Sequence, residues 1–262
     1  MTTSMNDPRL DFETNAVGTF NLLEAIHAAA PAAAVVYASS NKVYGDLVTI
    51  PLREDECRYS APDHPSGIDE QAPLDFQTPY GCSKGAADQY MLDYARVYGL
   101  NTVVLRHSTI YGSRQYATFD QGWVGWFCRQ AYLQQRTSAA PAFTIAGSGK
   151  QVRDLLFVDD AVDAYFAAAA HVVAARGHAF NLGGGITNSS SLLELFAQLG
   201  ELTGTTLRYE QLPWRHSDQR FFVADYSKAQ RLLHWTPKVG KLEGIARMMA
   251  WTALMGDEPV GT

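Results

Sequence analysis

The sequence predicts an α/β protein with a mostly parallel sheet, and three observations predict it. Short apolar runs rich in β-branched residues, such as AAVVYASS at 33 to 40 and TVVLRH at 102 to 107, read as strands buried on both faces. Amphipathic segments of ten or more residues stand between such runs, which is the alternation of helix-connected parallel strands. The composition is that of a globular chain: of 262 residues, 47% are hydrophobic and 18% charged. That excludes a disordered, collagen-like or disulfide-framework protein. At this length folding buries roughly 70–75% of the unfolded surface, so a core forms without metal or disulfide staples.

Each element follows in order. Residues 11 to 30 place Phe20, Leu23, Ile26 and Ala30 at helical spacing and stop at Pro31. A strand at 33 to 40 ends in two serines. Residues 46 to 79 carry five prolines (Pro51, Pro62, Pro65, Pro73, Pro79) and no apolar period. So long an irregular stretch inside a domain suggests a functional loop, here a lid. The segment beginning at Tyr80 puts Ala87, Tyr90, Met91 and Tyr94 on one stripe, a helix closed by Gly99. A strand at 102 to 107, a helix at 121 to 135 and a strand at 142 to 146 come next. The alanine-rich segment 160 to 174 reads as a helix and 178 to 182 as a strand. Helix 190 to 203, strand 205 to 210, a basic loop at 213 to 220 and helices near 227 to 233 and 241 to 255 complete the chain.

The charge balance, 27 Asp+Glu against 21 Lys+Arg, and the lack of a basic run argue against a nucleic-acid partner. Cys57, Cys82 and Cys128 are odd in number and without CxxC spacing, which suits a reducing compartment. The opening MTTSMNDPRLDFETN has neither a basic nor an apolar leader region, and no apolar run reaches membrane-spanning length. The expectation is a cytoplasmic protein with no membrane partner and no metal.

Chemistry concentrates in a few places. Tyr80 and Lys84 stand four apart at the start of a helix, so their side chains share a face. A nearby ammonium favours phenolate, which would lower a phenol pKa otherwise near 10 and make Tyr80 a general base. Ser40 ends a parallel strand, where open α/β sheets place their sites, and its hydroxyl could hold a substrate oxygen. Arg153 and Arg215 offer forked hydrogen bonds suited to phosphate.

SSNKVYG at 39 to 45, PYGCSK at 79 to 84 and RDLLFVDD at 153 to 160, in this order, resemble the extended short-chain dehydrogenase/reductase family. These are NAD-dependent epimerases and dehydratases of nucleotide sugars. The resemblance runs along essentially the whole chain and implies a partial Rossmann-type doubly wound parallel sheet with a smaller C-terminal substrate-binding lobe. On that reading 1–111 and 151–182 make the NAD-binding core, and 112–150 and 183–262 make the nucleotide-sugar lobe. It further implies Tyr80 as base, Lys84 as its pKa-lowering and ribose-binding partner, and Ser40 as third member of a triad. Tyr80, Lys84 and His107 would meet NAD, His107 near the nicotinamide by packing or backbone positioning. Asn41, Lys42, Arg153, Arg215 and Asp218 would meet the sugar nucleotide, Asp218 at the nucleoside ribose. Asp120, Gln121, Gly122, Trp123 and Trp126 would line the substrate side. The implied reaction is epimerisation at sugar C2 on a substrate carried by cytidine diphosphate, the alternatives being a 4-epimerase or reductase on another nucleotide sugar or an N-terminally truncated, inactive nucleotide-sugar-binding remnant, and the implied assembly is a homo-oligomer built on the helices at 11 to 30 and 80 to 98. Dehydratases of this family need carboxyl groups just after the catalytic hydroxyl. Asn41 and Lys42 stand there instead.

One expected part is not found. No GxGxxG or GxxGxxG turn occurs in the sequence, although NAD pyrophosphate needs such a turn at a helix N-terminus. Gly183-Gly184-Gly185 comes late and reads as a close-packed turn. Measured against the family, the chain starts in the helix before the Ser40 strand, so the glycine turn is expected upstream of Met1; if the chain begins at Met1, the 33 to 40 strand is expected at a sheet edge.

Overall fold

The structure, a computed structural model, describes residues 2–118, 121–215 and 217–256. Helical turns α1 (Thr2–Asn6) and α2 (Pro8–Asp11) lead through a π-helical segment, Phe12–Val17, into α3 (Gly18–Ala29). Strand β1 (Ala34–Ser40) and a 3₁₀ turn, Asn41–Tyr44, follow. The proline-rich segment holds one small antiparallel hairpin, β2 (Arg53–Glu54) with β3 (Tyr59–Ser60). Then come α4 (Thr78–Tyr98), β4 (Asn101–His107), β5 (Thr109–Tyr111), α5 (Trp123–Arg136), β6 (Phe143–Ala146) and β7 (Val152–Phe157). The rest is α6 (Val158–Ala170), α7 (Val172–Ala175), β8 (His178–Leu182), β9 (Ser189–Ser191), α8 (Leu192–Thr203), β10 (Tyr209–Leu212), β11 (Phe221–Phe222), α9 (Ser227–Leu233) and α10 (Lys241–Met255).

Strands β1, β4 and β8 form a parallel sheet in that order, with Ser40 opposite His107 and His107 opposite Leu182. Alternate side chains of β4 face opposite layers. Val103 and Leu105 pack with Ala161 and Ala164 of α6 and with α9, while Val104 packs with Leu23 of α3 and Met91 and Tyr94 of α4. The sheet is therefore covered on both faces, as a parallel sheet with helical crossovers must be. Strand β1 stands at its edge, as the sequence suggested, and its first residues are part-exposed.

A second core joins β5, β6 and β7 to α5, α8 and α10 through Tyr111, Val124, Phe127, Phe143, Leu195, Phe196 and Ile245. Helix α8 starts on a capping box, in which Ser191 Oγ accepts from Glu194 N and Glu194 accepts from Ser191 N. Strands β7, β5 and β11 pair in parallel, β9 joins β7 antiparallel, and β6 pairs with β10.

The glycine run is a packed turn, as read. A Cβ on Gly183 would lie 1.8 Å from Asp154 Oδ2, and one on Gly184 would lie 2.1 Å from the Leu155 carbonyl. Asp154 accepts from Gly185 N and Ala224 N and from Ser108, so it pins this turn to β5 and β11.

Some expectations are corrected. The strand placed at 205 to 210 lies at Tyr209–Leu212, because the four residues after Gly204 only return the chain to the β6 edge. Tyr90, assigned to the buried stripe of its helix, is 45% exposed beside Phe20, and only Ala87, Met91 and Tyr94 of that stripe are buried. The 46 to 79 segment packs Ile50, Leu52, Ile68, Ala72 and Phe76 against Phe221–Ala224. Ile68 is fully buried and the other four are half-buried, so the segment is anchored to the core at these points while most of its residues stay exposed or half-exposed.

Candidate active site

The carboxyl ends of β1 and β4 meet the first turns of α4, and this meeting builds the site. Ser40 is the N-cap of the 3₁₀ turn, and its Oγ accepts from Lys42 N at 3.2 Å. Burial raises the pKa of the Tyr80 phenol, and the Ser40 side chain is near enough to pull it part of the way down. The Asp11 carboxylate adds to the rise. The Lys84 ammonium donates to the Ala38 carbonyl at 3.0 Å and lies 5.1 Å over the Tyr37 ring, so it is anchored to β1. Burial also lowers the Lys84 pKa, against the pull of Asp11.

His107 Nδ1 lies 3.1 Å from the Ser39 carbonyl, so Nδ1 carries the hydrogen and Nε2 is the bare acceptor. Nε2 is buried without a partner, and burial lowers the pKa to about 4, so the imidazole is neutral. Its ring stacks on Tyr165 at 5.5 Å. These contacts fit a positioning residue better than a proton donor.

The structure also holds a cleft of about 270 Å³, and Ser40, Tyr80, Lys84 and His107 are not among its lining residues. Asn41 and Lys42, which directly follow Ser40, line it, and Arg153, Arg215 and Asp218 line it as well. All five residues assigned to the sugar nucleotide thus share one cleft. Trp123 and Trp126 line it too, with Phe127. Gln121 and Gly122 precede that wall at the start of α5, and Asp120 lies outside the described residues.

Sequence reasoning missed Thr109, two residues past His107, and Gln151, two before Arg153, although a period-2 reading from either strand would have found them. It also missed Gln219. That side chain accepts from Asn41 Nδ2 at 2.9 Å and donates to the Gly45 carbonyl at 2.6 Å, tying the 213–220 loop to the 3₁₀ turn.

Electrostatically the cleft is cationic. Arg153 Nη2 donates to Asp218 Oδ1 at 3.1 Å and Nη1 to the Val152 carbonyl at 2.7 Å. Lys42 donates to the Ser217 carbonyl at 3.3 Å, and burial together with the Arg153 charge lowers its pKa to about 8. Among the described lining residues Asp218 is the one acid.

A parallel α/β sheet with a Tyr–Lys helix against a strand-end serine, together with a cationic cleft, defines a nucleotide-dependent α/β enzyme. The chain belongs to the NAD dependent epimerase/dehydratase family, whose sequence model matches residues 1–183. It is 53% identical over 253 residues to the CDP-paratose 2-epimerase of Salmonella typhi, covering 97% of this chain and 75% of that protein. It is 32% identical over 244 residues to a UDP-glucose 4-epimerase of Mycolicibacterium smegmatis, with 93% and 70% covered. Its fold is similar to Pal from Bacillus thuringiensis (TM-score 0.79, 30% identity, 97% and 72% covered). A Thermotoga maritima UDP-glucose 4-epimerase solved with UDP-glucose superposes with TM-score 0.78 at 26% identity, covering 97% and 74%.

Enzymes of this family use NAD, and the residues present fit one end of it. Lys84 donates to the carbonyl of Ala38, two residues before Ser40, and Ser40 acts on the Tyr80 phenol, so three polar groups gather at the end of β1. Gly183-Gly184-Gly185 does not fit the pyrophosphate, because Asp154 and Leu155 fill the space that a phosphate would require. Among the described residues no other glycine-rich turn leads from a parallel strand into a helix.

Proposed function

We propose that this chain is a nucleotide-sugar 2-epimerase that interconverts CDP-paratose and CDP-tyvelose. The observation that carries the reading is a single cleft in which Lys42, Arg153 and Arg215 can neutralise a diphosphate, beginning one residue after the Ser40 that meets Tyr80. The likeness to the Salmonella typhi CDP-paratose 2-epimerase supports the choice of sugar and nucleotide.

In this reading Tyr80, as phenolate, takes the proton of the C2 hydroxyl and later returns it. Ser40 holds the same oxygen, so the proton moves along a fixed line. NAD, when bound, supplies the two-electron oxidation to a transient 2-keto sugar and the reduction that restores the alcohol, with no net redox change. Lys84 and His107 bind and orient at the nicotinamide end. Arg153 and Arg215 clamp the diphosphate, Asp218 holds the nucleoside ribose, and the Trp123 and Trp126 rings exclude water from the far wall. Dehydration is disfavoured because a neutral amide and an ammonium, Asn41 and Lys42, stand where an added acid and base would be required.

The reading also takes the protein as a cytoplasmic homo-oligomer. Its supports are three free thiols and the apolar side chains exposed on neighbouring helices, Phe20 and Leu22 of α3 with Tyr90, Val97 and Tyr98 of α4. No helix of the described residues is long and apolar enough to cross a membrane. The test is turnover with NAD present. CDP-paratose should be converted and UDP-glucose should not, and conversion of UDP-glucose alone would replace this reading with a 4-epimerase.

A further inference from the structure

Beneath the reacting groups lies a buried ionic cluster that the proposed chemistry does not use. Asp88, 0% exposed, stands one helical turn beyond Lys84 on α4, and Arg106, 3% exposed, immediately precedes His107 on β4. They form a two-pronged pair: Arg106 Nε donates to Asp88 Oδ2 at 2.9 Å and Nη2 to Oδ1 at 2.8 Å. Ser39, the residue before Ser40, donates to Asp88 Oδ2 at 2.7 Å. The third nitrogen, Arg106 Nη1, donates to the Tyr44 hydroxyl at 2.9 Å, and that hydroxyl donates to Asn181 Oδ1 at 2.8 Å. Asn181 Nδ2 continues to the Ile68 carbonyl at 2.8 Å.

The register explains why these groups meet. Ser39, Arg106 and Asn181 are opposite one another across β1, β4 and β8, one residue below the row of Ser40 and His107. The cluster therefore touches the elements that carry the reacting groups: the end of β1, α4, the end of β4, and the 3₁₀ turn that follows Ser40. A buried pair of charges is weak evidence for stability, because desolvation offsets most of the attraction. Fully hydrogen-bonded, it is a device for holding one arrangement.

We infer that Arg106 and Asp88, with Ser39 and Tyr44, are positioning residues that fix Ser40 relative to Tyr80. The inference rests on Tyr80 as the base. It states that loosening the cluster misplaces the proton-transfer partners while the diphosphate clamp, built on β7 and the 213–220 loop, keeps its geometry.

The test compares Ser39→Ala, Tyr44→Phe and Asp88→Asn with the unaltered full-length protein. Ser39→Ala and Tyr44→Phe each remove one hydroxyl and leave the ion pair, so they keep the question open to measurement if Asp88→Asn does not fold. Expected is a fall in kcat of about 10- to 100-fold with KM and CDP affinity nearly unchanged, since a misplacement of about 1 Å costs on that order. A readout independent of turnover is the Tyr80 ring-carbon signal in ¹³C-tyrosine NMR, assigned by Tyr80→Phe, which should move in all folded variants as Ser40 shifts. The inference is overturned if kcat falls only as the folded fraction falls, if KM rises in step with it, or if the Tyr80 signal stays in place. Turnover by Tyr80→Phe would instead overturn the reading of Tyr80 as base, an outcome separate from the NMR result.

Discussion

Lys84 donates to the Ala38 carbonyl, at 3.0 Å, while the phenol of Tyr80 one turn earlier is shifted by burial, by Ser40 and by Asp11. The base of this site is thus held back by a carboxylate as well as by burial. Replacing Asp11 with Asn removes the nearby negative charge, so the Tyr80 titration should move to lower pH. Lys84→Met should leave that titration of the ligand-free protein in place. Tyrosine-selective NMR across pH measures both, and a rise in the Tyr80 pKa on Lys84→Met would make the lysine its main control.

Lys42 gives a second pH signature. Its pKa is lowered to about 8 by burial and by Arg153, so it loses its charge near that pH. Affinity for CDP, measured by calorimetry, should weaken as pH rises through 8. Lys42→Met should bind about 10- to 100-fold more weakly at pH 7, the scale of a lost charge-assisted hydrogen bond, and should lose the pH dependence.

Arg153 is the central cation of the cleft, presented by β7 and paired with Asp218 at 3.1 Å. Arg153→Ala should weaken CDP binding by about 100-fold. Arg153→Lys should recover only part, because a lysine cannot reproduce the forked contact. Equal affinity of the Ala and unaltered proteins would move the diphosphate elsewhere.

His107 should report on stability. Its folded pKa, about 4, is below the ordinary 6.5, so the unfolded chain binds the extra proton first as pH falls. This contribution is fully present above about pH 6.5 and is lost as pH drops toward 4. Comparing denaturant unfolding of the protein and of His107→Gln should show the difference shrinking over that window, by at most about 3 kcal/mol.

Much of this was legible in the sequence, for reasons that differ from element to element. Strands β1 and β4 announced themselves by apolar β-branched runs, and α4 by its stripe and the Gly99 stop. The helices expected at 190 to 203 and 241 to 255 lie at Leu192–Thr203 and Lys241–Met255. The five cleft residues came together because each lies at a strand end or in the loop that faces those ends. What sequence spacing could not give was competition. Tyr80 and Lys84 share a helix face, yet only the folded chain shows that the Ala38 carbonyl captures the ammonium. The anchor within 46 to 79 was hidden for the same reason. Prolines suppress regular structure without saying whether Ile68 will be buried, and its 0% exposure comes from β11, more than a hundred residues away. The Asp88–Arg106 pair left no local signal, since its two members meet only through the register of β1, β4 and α4.

The central claim is that Tyr80 and this cationic cleft together epimerise a CDP-sugar at C2, and turnover of CDP-paratose by the full-length protein and by its Tyr80→Phe variant, with NAD supplied, tests it most directly. The account predicts CDP-tyvelose from the full-length protein and a rate lower by about 10²- to 10⁴-fold in Tyr80→Phe, with CDP affinity retained. Undiminished turnover by Tyr80→Phe, or a protein that converts UDP-glucose and leaves CDP-paratose untouched, would contradict it.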